Sequence, residues 1–285
     1  RLMRGPAGSK ILLRINRADV ADFDLTLERA VIKVQAVRWR NENGIAYIRV
    51  SRFSERVEGG IVKAFASIRA EIGGDPSGVV LDLRNNPGGL LDQSVILSDA
   101  FLNNGEIVSV RGRRSSAWRS FKAANGDLAH GVPMVVLING GSASASEIVA
   151  SALKHYRRAT VMGSQSFGKG SVQTIIPMPL EGALRLTTAL YYGPSGETLQ
   201  ARGVVPNIIL EAKPEPKKKA VKMRRESDLP GALPAQRKPA KGDNLSVMVD
   251  ECPEAGPKKD KQLGCALAFL AAGSTEKFLA SYRQQ

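Results

Sequence analysis

Aromatic residues make up only 5% of this 285-residue chain, and histidine and cysteine each occur just twice. The two histidines, His130 in a loop and His155 far along a helix from the serines, argue against a Ser-His-Asp triad. No apolar run approaches ~18 residues, so the sequence holds no candidate transmembrane helix. Residues 1–20 have no apolar stretch of signal-peptide type. The chain opens without Met, in what reads as the middle of an element, and the expectation is of a further portion upstream. Cys252 and Cys265 lie near the C-terminus. They suit one disulfide in an oxidising compartment, or two thiols in a helical tail. With no histidine nearby they make a poor metal site.

Apolar residues make up 43% of the chain, enough for one large core or two small ones. The net charge is +14, unevenly spread. Residues 213–241 hold ten Lys/Arg against three acids, a net of +7 and half the total. Residues 213–244, rich in Pro and Lys, are therefore expected to be a solvated linker. Such a run could touch anionic lipid, nucleic acid or an acidic partner.

Ahead of the linker, strand and helix patterns alternate. A turn at 4–8 precedes an alternating strand at 10–15, and 22–37 holds two strand-like pieces. A strand at 44–50 leads to a helix over 55–72, whose apolar face comprises Val57, Ile61, Val62, Phe65, Ile68 and Ile72. Gly73-Gly74-Asp75-Pro76 stops it. Strands follow at 79–83 and 107–110, with a helix at 91–102 between them. Residues 111–130 are polar and interrupted by glycine, a loop or hairpin. An apolar strand from Met134 to Ile138 runs into Asn139-Gly140-Gly141-Ser142-Ala143-Ser144-Ala145-Ser146-Glu147. A helix leaves it, with Ile148, Val149, Ala152, Leu153 and Tyr156 on one face. A strand at 159–163, a loop at 165–170 and a hairpin pairing 171–178 with 183–192 come next. After the linker, Leu263, Leu267, Leu270 and Phe278 form a helical pattern. The expected fold is α/β, with a mostly parallel sheet and an antiparallel edge.

Three stretches carry chemistry. Leu81-Asp82-Leu83-Arg84-Asn85-Asn86-Pro87-Gly88-Gly89 ends a strand in a Pro-Gly-Gly turn that leaves backbone N–H groups free to serve an oxyanion. The serine stretch places three serines at a strand-to-helix turn. A serine there can cap the helix or act as a nucleophile, with the next N–H as oxyanion donor. It does not match the Gly-x-Ser-x-Gly elbow. His155 lies about three turns along the helix, so another base is needed.

A candidate base lies in Ser166-Phe167-Gly168-Lys169-Gly170-Ser171-Val172-Gln173, where a lone lysine can also be simply a solvated charge. A lysine acts as a base only when neutral, so its free pKa of ~10.4 must fall by about three units. Gln173 can hydrogen-bond such an amine. The same run nearly matches a phosphate-binding loop. However, Gly170 occupies the magnesium-holding Ser/Thr position, and the following residues read as strand, which argues against nucleotide binding.

Together with Gly203-Val204-Val205-Pro206, these stretches resemble the carboxy-terminal processing peptidases, or tail-specific proteases, over roughly residues 45–210. The resemblance implies serine endopeptidase activity and a crotonase/ClpP-like protease core. In that family the nucleophile lies 25 residues before the lysine, which implies Ser144 as nucleophile and Lys169 as general base. Gln173 would orient the lysine, and the N–H groups of Gly89 and Ala145 would form the oxyanion hole. No metal or organic cofactor is implied. Residues 1–18 resemble the end of a PDZ domain, 19–212 the protease core, 213–244 the linker and 245–285 a helical extension. The family implies protein substrates with apolar C-termini, a regulatory or adaptor protein, and a periplasmic or otherwise exported location that suits a Cys252–Cys265 disulfide. Competing readings are a crotonase-type acyl-CoA enzyme and a non-catalytic peptide-binding scaffold.

Overall fold

The computed structural model describes residues 2–32, 35–179, 181–212, 224–235 and 245–282. Contacts divide the chain into two units, Arg1–Gln35 and Ala36–Gln285. In the first, β1 (Lys10–Arg17) and β2 (Val20–Glu28) pair antiparallel. Asp19, at φ 65°, makes the tight reversal between them. Among the described residues, 22–37 thus supply most of β2 and the first residue of the next strand, Val37.

In the second unit, β3 (Val37–Glu42) and β4 (Ile45–Val50) form a hairpin. Its turn is Asn43-Gly44, both at positive φ, the geometry that favours Asn-Gly in two-residue loops. Helix α1 (Val57–Ile72) ends on left-handed Gly73. Then come β5 (Gly78–Asp82), α2 (Leu91–Asp99), β6 (Glu106–Gly112), β7 (Arg119–Lys122) and β8 (Met134–Ile138). Helix α3 (Ala145–His155), β9 (Thr160–Gly163), β10 (Ser171–Pro177) and β11 (Ala183–Tyr192) follow. Strands β12 (Ile208–Glu211) and β13 (Leu245–Met248) precede helices α4 (Lys261–Ala272) and α5 (Thr275–Ala280).

The main sheet has the order β13-β12-β9-β8-β5-β4-β3. All its pairs are parallel except β3–β4 at the edge. A second, antiparallel sheet has the order β10-β11-β6-β7. Both faces of the main sheet are covered, so its central strands β5 and β8 carry apolar runs, Val79–Leu81 and Met134–Ile138, rather than alternating patterns. Val79, Leu81, Val136 and Ile138 face a core shared with α1, α2 and α3. Val80, Val135, Leu137 and Met162 face the opposite core, filled by Phe269 and Phe278 of α4 and α5.

The C-terminal part is more than a helical extension, because β13 adds an edge strand to the main sheet. Neither β12 nor β13 stands out in the sequence, since four residues carry too little alternation to show. The last helical pattern splits in two at left-handed Gly273. Cys252 and Cys265 are joined as a disulfide that ties the segment after β13 to α4. Of the expected linker, 213–223 and 236–244 lie outside the described residues. The part between them, 224–235, is described and makes hydrogen bonds to the core. Among the described residues no helix is long and apolar enough to cross a membrane, and no cluster of acids, His and Cys is suited to a metal.

Candidate active site

The adjacent parallel strands β5 and β8 end side by side, and their C-terminal ends carry the two loops that face each other. Asn86 joins them. Its backbone carbonyl accepts from the Ala143 N–H at 3.0 Å and the Ser146 hydroxyl at 2.9 Å. Its side chain donates to the Val50 carbonyl at 2.8 Å and accepts from the Gly88 N–H at 2.9 Å. Asn139 adds a second clamp, accepting from the N–H groups of Asn85 and Gly141.

The three serines of the turn have different surroundings. Ser142 is fully buried; its hydroxyl donates to the Leu83 carbonyl at 2.8 Å and accepts from the Asn139 N–H at 3.0 Å. Ser146 is fully buried, and its hydroxyl is bound to Asn86. Both hold the turn in shape. Ser144 is half-buried, has φ 55° and ψ −112°, and begins α3. Positive φ in a residue with a β-carbon costs on the order of 1–3 kcal/mol and recurs at reactive positions. Among these serines, only Ser144 combines partial exposure with that backbone.

Glu147 ties the serine turn to the lysine loop. Its carboxylate is fully buried and receives four donors. The Ser166 hydroxyl (2.5 Å) and Gly168 N–H (2.6 Å) reach Oε1, while the Ser144 N–H (2.7 Å) and Lys169 N–H (2.9 Å) reach Oε2. Burial pushes this carboxyl up to about 7, against the four hydrogen bonds that favour its charged form. The sequence reading gave Glu147 no role, although Ser144-x-x-Glu147 has the spacing of a helix capping box. The Val204 N–H donates to Ser166 at 2.7 Å. A β-carbon at Gly203 would lie 2.7 Å from the Ser166 hydroxyl, so the Gly203-Val204 turn closes this cluster from behind.

Lys169 is half-buried between Gly168 and Gly170, and its amine makes no ion pair or hydrogen bond among the described residues. Its loop leads into strand β10, unlike a phosphate-binding loop, which opens a helix. Gln173 lies on β10 just after a bulge, opposite Thr187, and is exposed, with no hydrogen bond to Lys169. The structure therefore joins Ser144, Lys169, Gly88 and Gly89 around one corner and leaves Gln173 outside the bonded cluster.

Gly89 pairs with Phe53 in an isolated parallel bridge. Phe53 donates to the Gly88 carbonyl and accepts from the Leu90 N–H, so the N–H of Gly89 itself is left without a partner among the described residues. The Ala145 N–H, in the first turn of α3, is also unpartnered there. A β-carbon at Gly88 would lie 2.9 Å from Ser144 Cβ and 3.0 Å from the Ala145 nitrogen. Only a glycine lets the two loops approach this closely. Beside Gly89 a cavity of about 340 Å³ opens, lined by Arg52, Phe53, Ser54, Glu55, Arg56 and Leu90.

The strand before this corner is held from below. Asp82, fully buried, accepts from Tyr47, Arg49, the Arg84 backbone and the Arg84 guanidinium. Burial alone would raise its carboxyl, but Arg84 and Arg49 hold it below the usual carboxylate range. Arg84 also grips Asp260 and Gln262 at the start of α4, which ties the C-terminal helices to the Pro-Gly-Gly loop.

Comparisons with known proteins cover most of the chain. The family described as Peptidase family S41 matches residues 44–210. The carboxy-terminal-processing protease of Bartonella bacilliformis is 49% identical over 271 residues, covering 94% of this chain and 62% of that protein. The carboxy-terminal processing protease CtpA of Bacillus subtilis is 34% identical over 212 residues, covering 74% of this chain and 44% of that protein. The solved photosystem II D1 C-terminal processing protease superposes with a TM-score of 0.58 at 27% identity, over 73% of this chain and 57% of that one. The chain thus spans under two thirds of the length of these relatives.

Proposed function

The chain belongs to peptidase family S41, and from that membership we propose that it is a serine endopeptidase of the carboxy-terminal processing type, with Ser144 as nucleophile and Lys169 as base. The observation that carries this reading is the shared oxygen: the backbone N–H groups of Ser144 and Lys169 both bind Oε2 of Glu147. The two backbone nitrogens therefore lie no further apart than those two bonds placed end to end. A lysine side chain is long enough to bring its amine to the neighbouring hydroxyl across such a gap.

In the proposed reaction the neutral Lys169 amine takes the Ser144 proton as Oγ bonds to the substrate carbonyl carbon. The carbonyl electron pair moves to oxygen, and the N–H groups of Gly89 and Ala145 bind the resulting oxyanion. The Lys169 ammonium then protonates the amine leaving group as the C–N bond breaks. Water, deprotonated by the same lysine, attacks the acyl ester, and Ser144 departs with a proton. Gln173 is the proposed guide for the amine once substrate lies over β10. The cavity beside Gly89 is the proposed seat for substrate residues flanking the scissile bond.

The proposed substrates are proteins with apolar C-termini, and the proposed setting is an exported, oxidising compartment. The Cys252–Cys265 disulfide supports that setting. Residues 1–18 are the proposed end of a PDZ domain, and because β2 pairs with β1 that proposal is extended from residue 18 through Glu28, which takes β2 out of the protease core. The test uses an unfolded protein substrate with an apolar C-terminus, incubated with the parent chain, Ser144→Ala and Lys169→Ala. Cleavage by the parent alone is expected. Full activity in Lys169→Ala would overturn the dyad.

A further inference from the structure

The loop bearing Lys169 is rich in glycine and needs outside ties to hold one conformation. Gly168 and Gly170 flank the lysine, and glycine loses more conformational freedom on ordering than any other residue. Some ties come from within the family-matched segment. The Phe167 N–H donates to the Ser142 carbonyl, the Ala201 N–H to the Gly168 carbonyl and the Tyr191 N–H to the Gly170 carbonyl. Glu147 holds the N–H groups of Gly168 and Lys169.

One further tie leaves that segment directly, and a second does so through Gln200. The Phe167 carbonyl accepts from the Glu226 N–H at 3.1 Å. The Gly170 N–H donates to Oε1 of Gln200 at 3.0 Å. Gln200 is 1% exposed, and its Nε2 donates to Glu226 Oε1 at 3.2 Å and to the Leu233 carbonyl at 3.3 Å. The amide is thus held at both ends, with its oxygen on the lysine loop and its nitrogen on residues 226–233. Without those two acceptors, a buried NH₂ group would lose its partners, and the side chain would lose the restraint that aims Oε1 at Gly170.

We propose that residues 224–235 form a latch that holds the Lys169 loop in its working geometry, with Gln200 as the positioning residue through which it acts. The latch touches neither reacting atom. It secures the residue two before Lys169 directly and the residue after it through Gln200. The basic region therefore includes a functional part of the enzyme as well as a connection to the C-terminal helices. The residues of the latch itself are largely exposed, so replacing them removes little of the core. The catalytic part of this proposal rests on the Ser-Lys reading; the structural part does not.

The test replaces residues 224–235 by a Gly/Ser segment of equal length, with Glu226→Ala and Glu226→Gln as point variants. Amide hydrogen exchange over 165–171 reports the loop directly. It is expected to quicken about tenfold in the Gly/Ser variant, as expected when one or two hydrogen bonds are lost. In peptide cleavage kcat is expected to fall about tenfold or more, because small misplacements of a catalytic group are costly. KM should stay within about twofold of the parent, since only the base is displaced. The pH at which activity rises should also shift, an effect that a loss of stability alone would not produce. Glu226→Gln, which keeps an acceptor oxygen, should retain most of the parent activity, and Glu226→Ala, which removes one acceptor of Gln200 and keeps the backbone tie to Phe167, should fall between the parent and the Gly/Ser variant. Unchanged exchange over 165–171 would overturn the latch, and so would a rise in kcat, which would make the segment a lid. Faster exchange in a chain whose parent cleaves nothing would keep the latch and remove the peptidase reading.

Discussion

The backbone N–H groups of Ser144 and Lys169 meet at one atom, Oε2 of Glu147. Sequence separates them by 25 positions and a full helix-strand unit, yet one buried carboxylate fixes both. Replacing that oxygen by an NH₂ group turns an acceptor into a donor facing two donors. Glu147→Gln is therefore expected to lower kcat/KM by about 10²-fold through misplacement of the dyad. Glu147→Ala, which leaves buried donors without partners, should destabilise the chain by roughly 3 kcal/mol or more. Steady-state cleavage and urea unfolding of the two variants check this, and parent-like activity in both would remove Glu147 from the site.

Glu147 also predicts a pH dependence of stability. Its carboxyl is raised in the folded chain to about 7 from an unfolded 4.5. Between those values the native state binds more protons than the unfolded one, so stability falls as pH rises. The contribution is fully present below 4.5 and lost above about 7. The loss amounts to roughly 3 kcal/mol. The depressed carboxyls of Asp82 and Asp260 act the other way, as their stabilisation is lost on acidification below the ordinary carboxylate range. Urea unfolding from pH 4.5 to 7.5 should show the Glu147 slope in the parent and not in Glu147→Gln. Equal slopes in both would assign the titration elsewhere.

The three serines should separate activity from stability. Ser144→Ala is expected to reduce cleavage by a factor on the order of 10⁴ or more with little change in unfolding. Ser142→Ala removes a partner from both the Leu83 carbonyl and the Asn139 N–H. It should cost about 1–3 kcal/mol of stability. Activity that survives Ser144→Ala but not Ser142→Ala would move the nucleophile.

Gly88 permits the close approach of the Pro-Gly-Gly loop to the serine turn. An alanine there meets Ser144 Cβ and the Ala145 nitrogen and must hold φ near 99°. Gly88→Ala is expected to lower kcat by about 10²-fold, since the loops must part by a few tenths of an ångström or more. Unaltered kcat would show that the oxyanion donors lie elsewhere.

The C-terminal helices should prove structural for the site. Arg84 bridges Asp82 and Asp260, and removing one partner from such a buried cluster costs about 3–5 kcal/mol. Arg84→Met should therefore lower the melting temperature sharply. Reducing the Cys252–Cys265 bond, which closes a short loop, should cost about 3 kcal/mol. Thermal unfolding with and without reductant measures the second effect, and coincident curves would contradict it.

Much of this was legible in the chain alone. Val57–Ile72 shows its helix because one face is apolar at 3.6 spacing and a glycine ends it. The alternation of strands and helices announced a parallel sheet, because only crossover helices cover both of its faces. The candidate chemistry was visible as small residues at strand ends and a lysine between glycines. A resemblance, rather than composition, singled out Ser144. Tertiary structure separated the serines physically, because it engages Ser142 and Ser146 in holding the turn and leaves Ser144 half-exposed in a backbone conformation that costs energy. It also assigned Glu147, since a capping-box spacing predicts a bond to the helix start but cannot foretell that a distant loop will share the same carboxylate. The edge strand β13 and the attachment of residues 226–233 to Gln200 belong to that second class. Both depend on groups brought together across long separations, where local periodicity carries no signal.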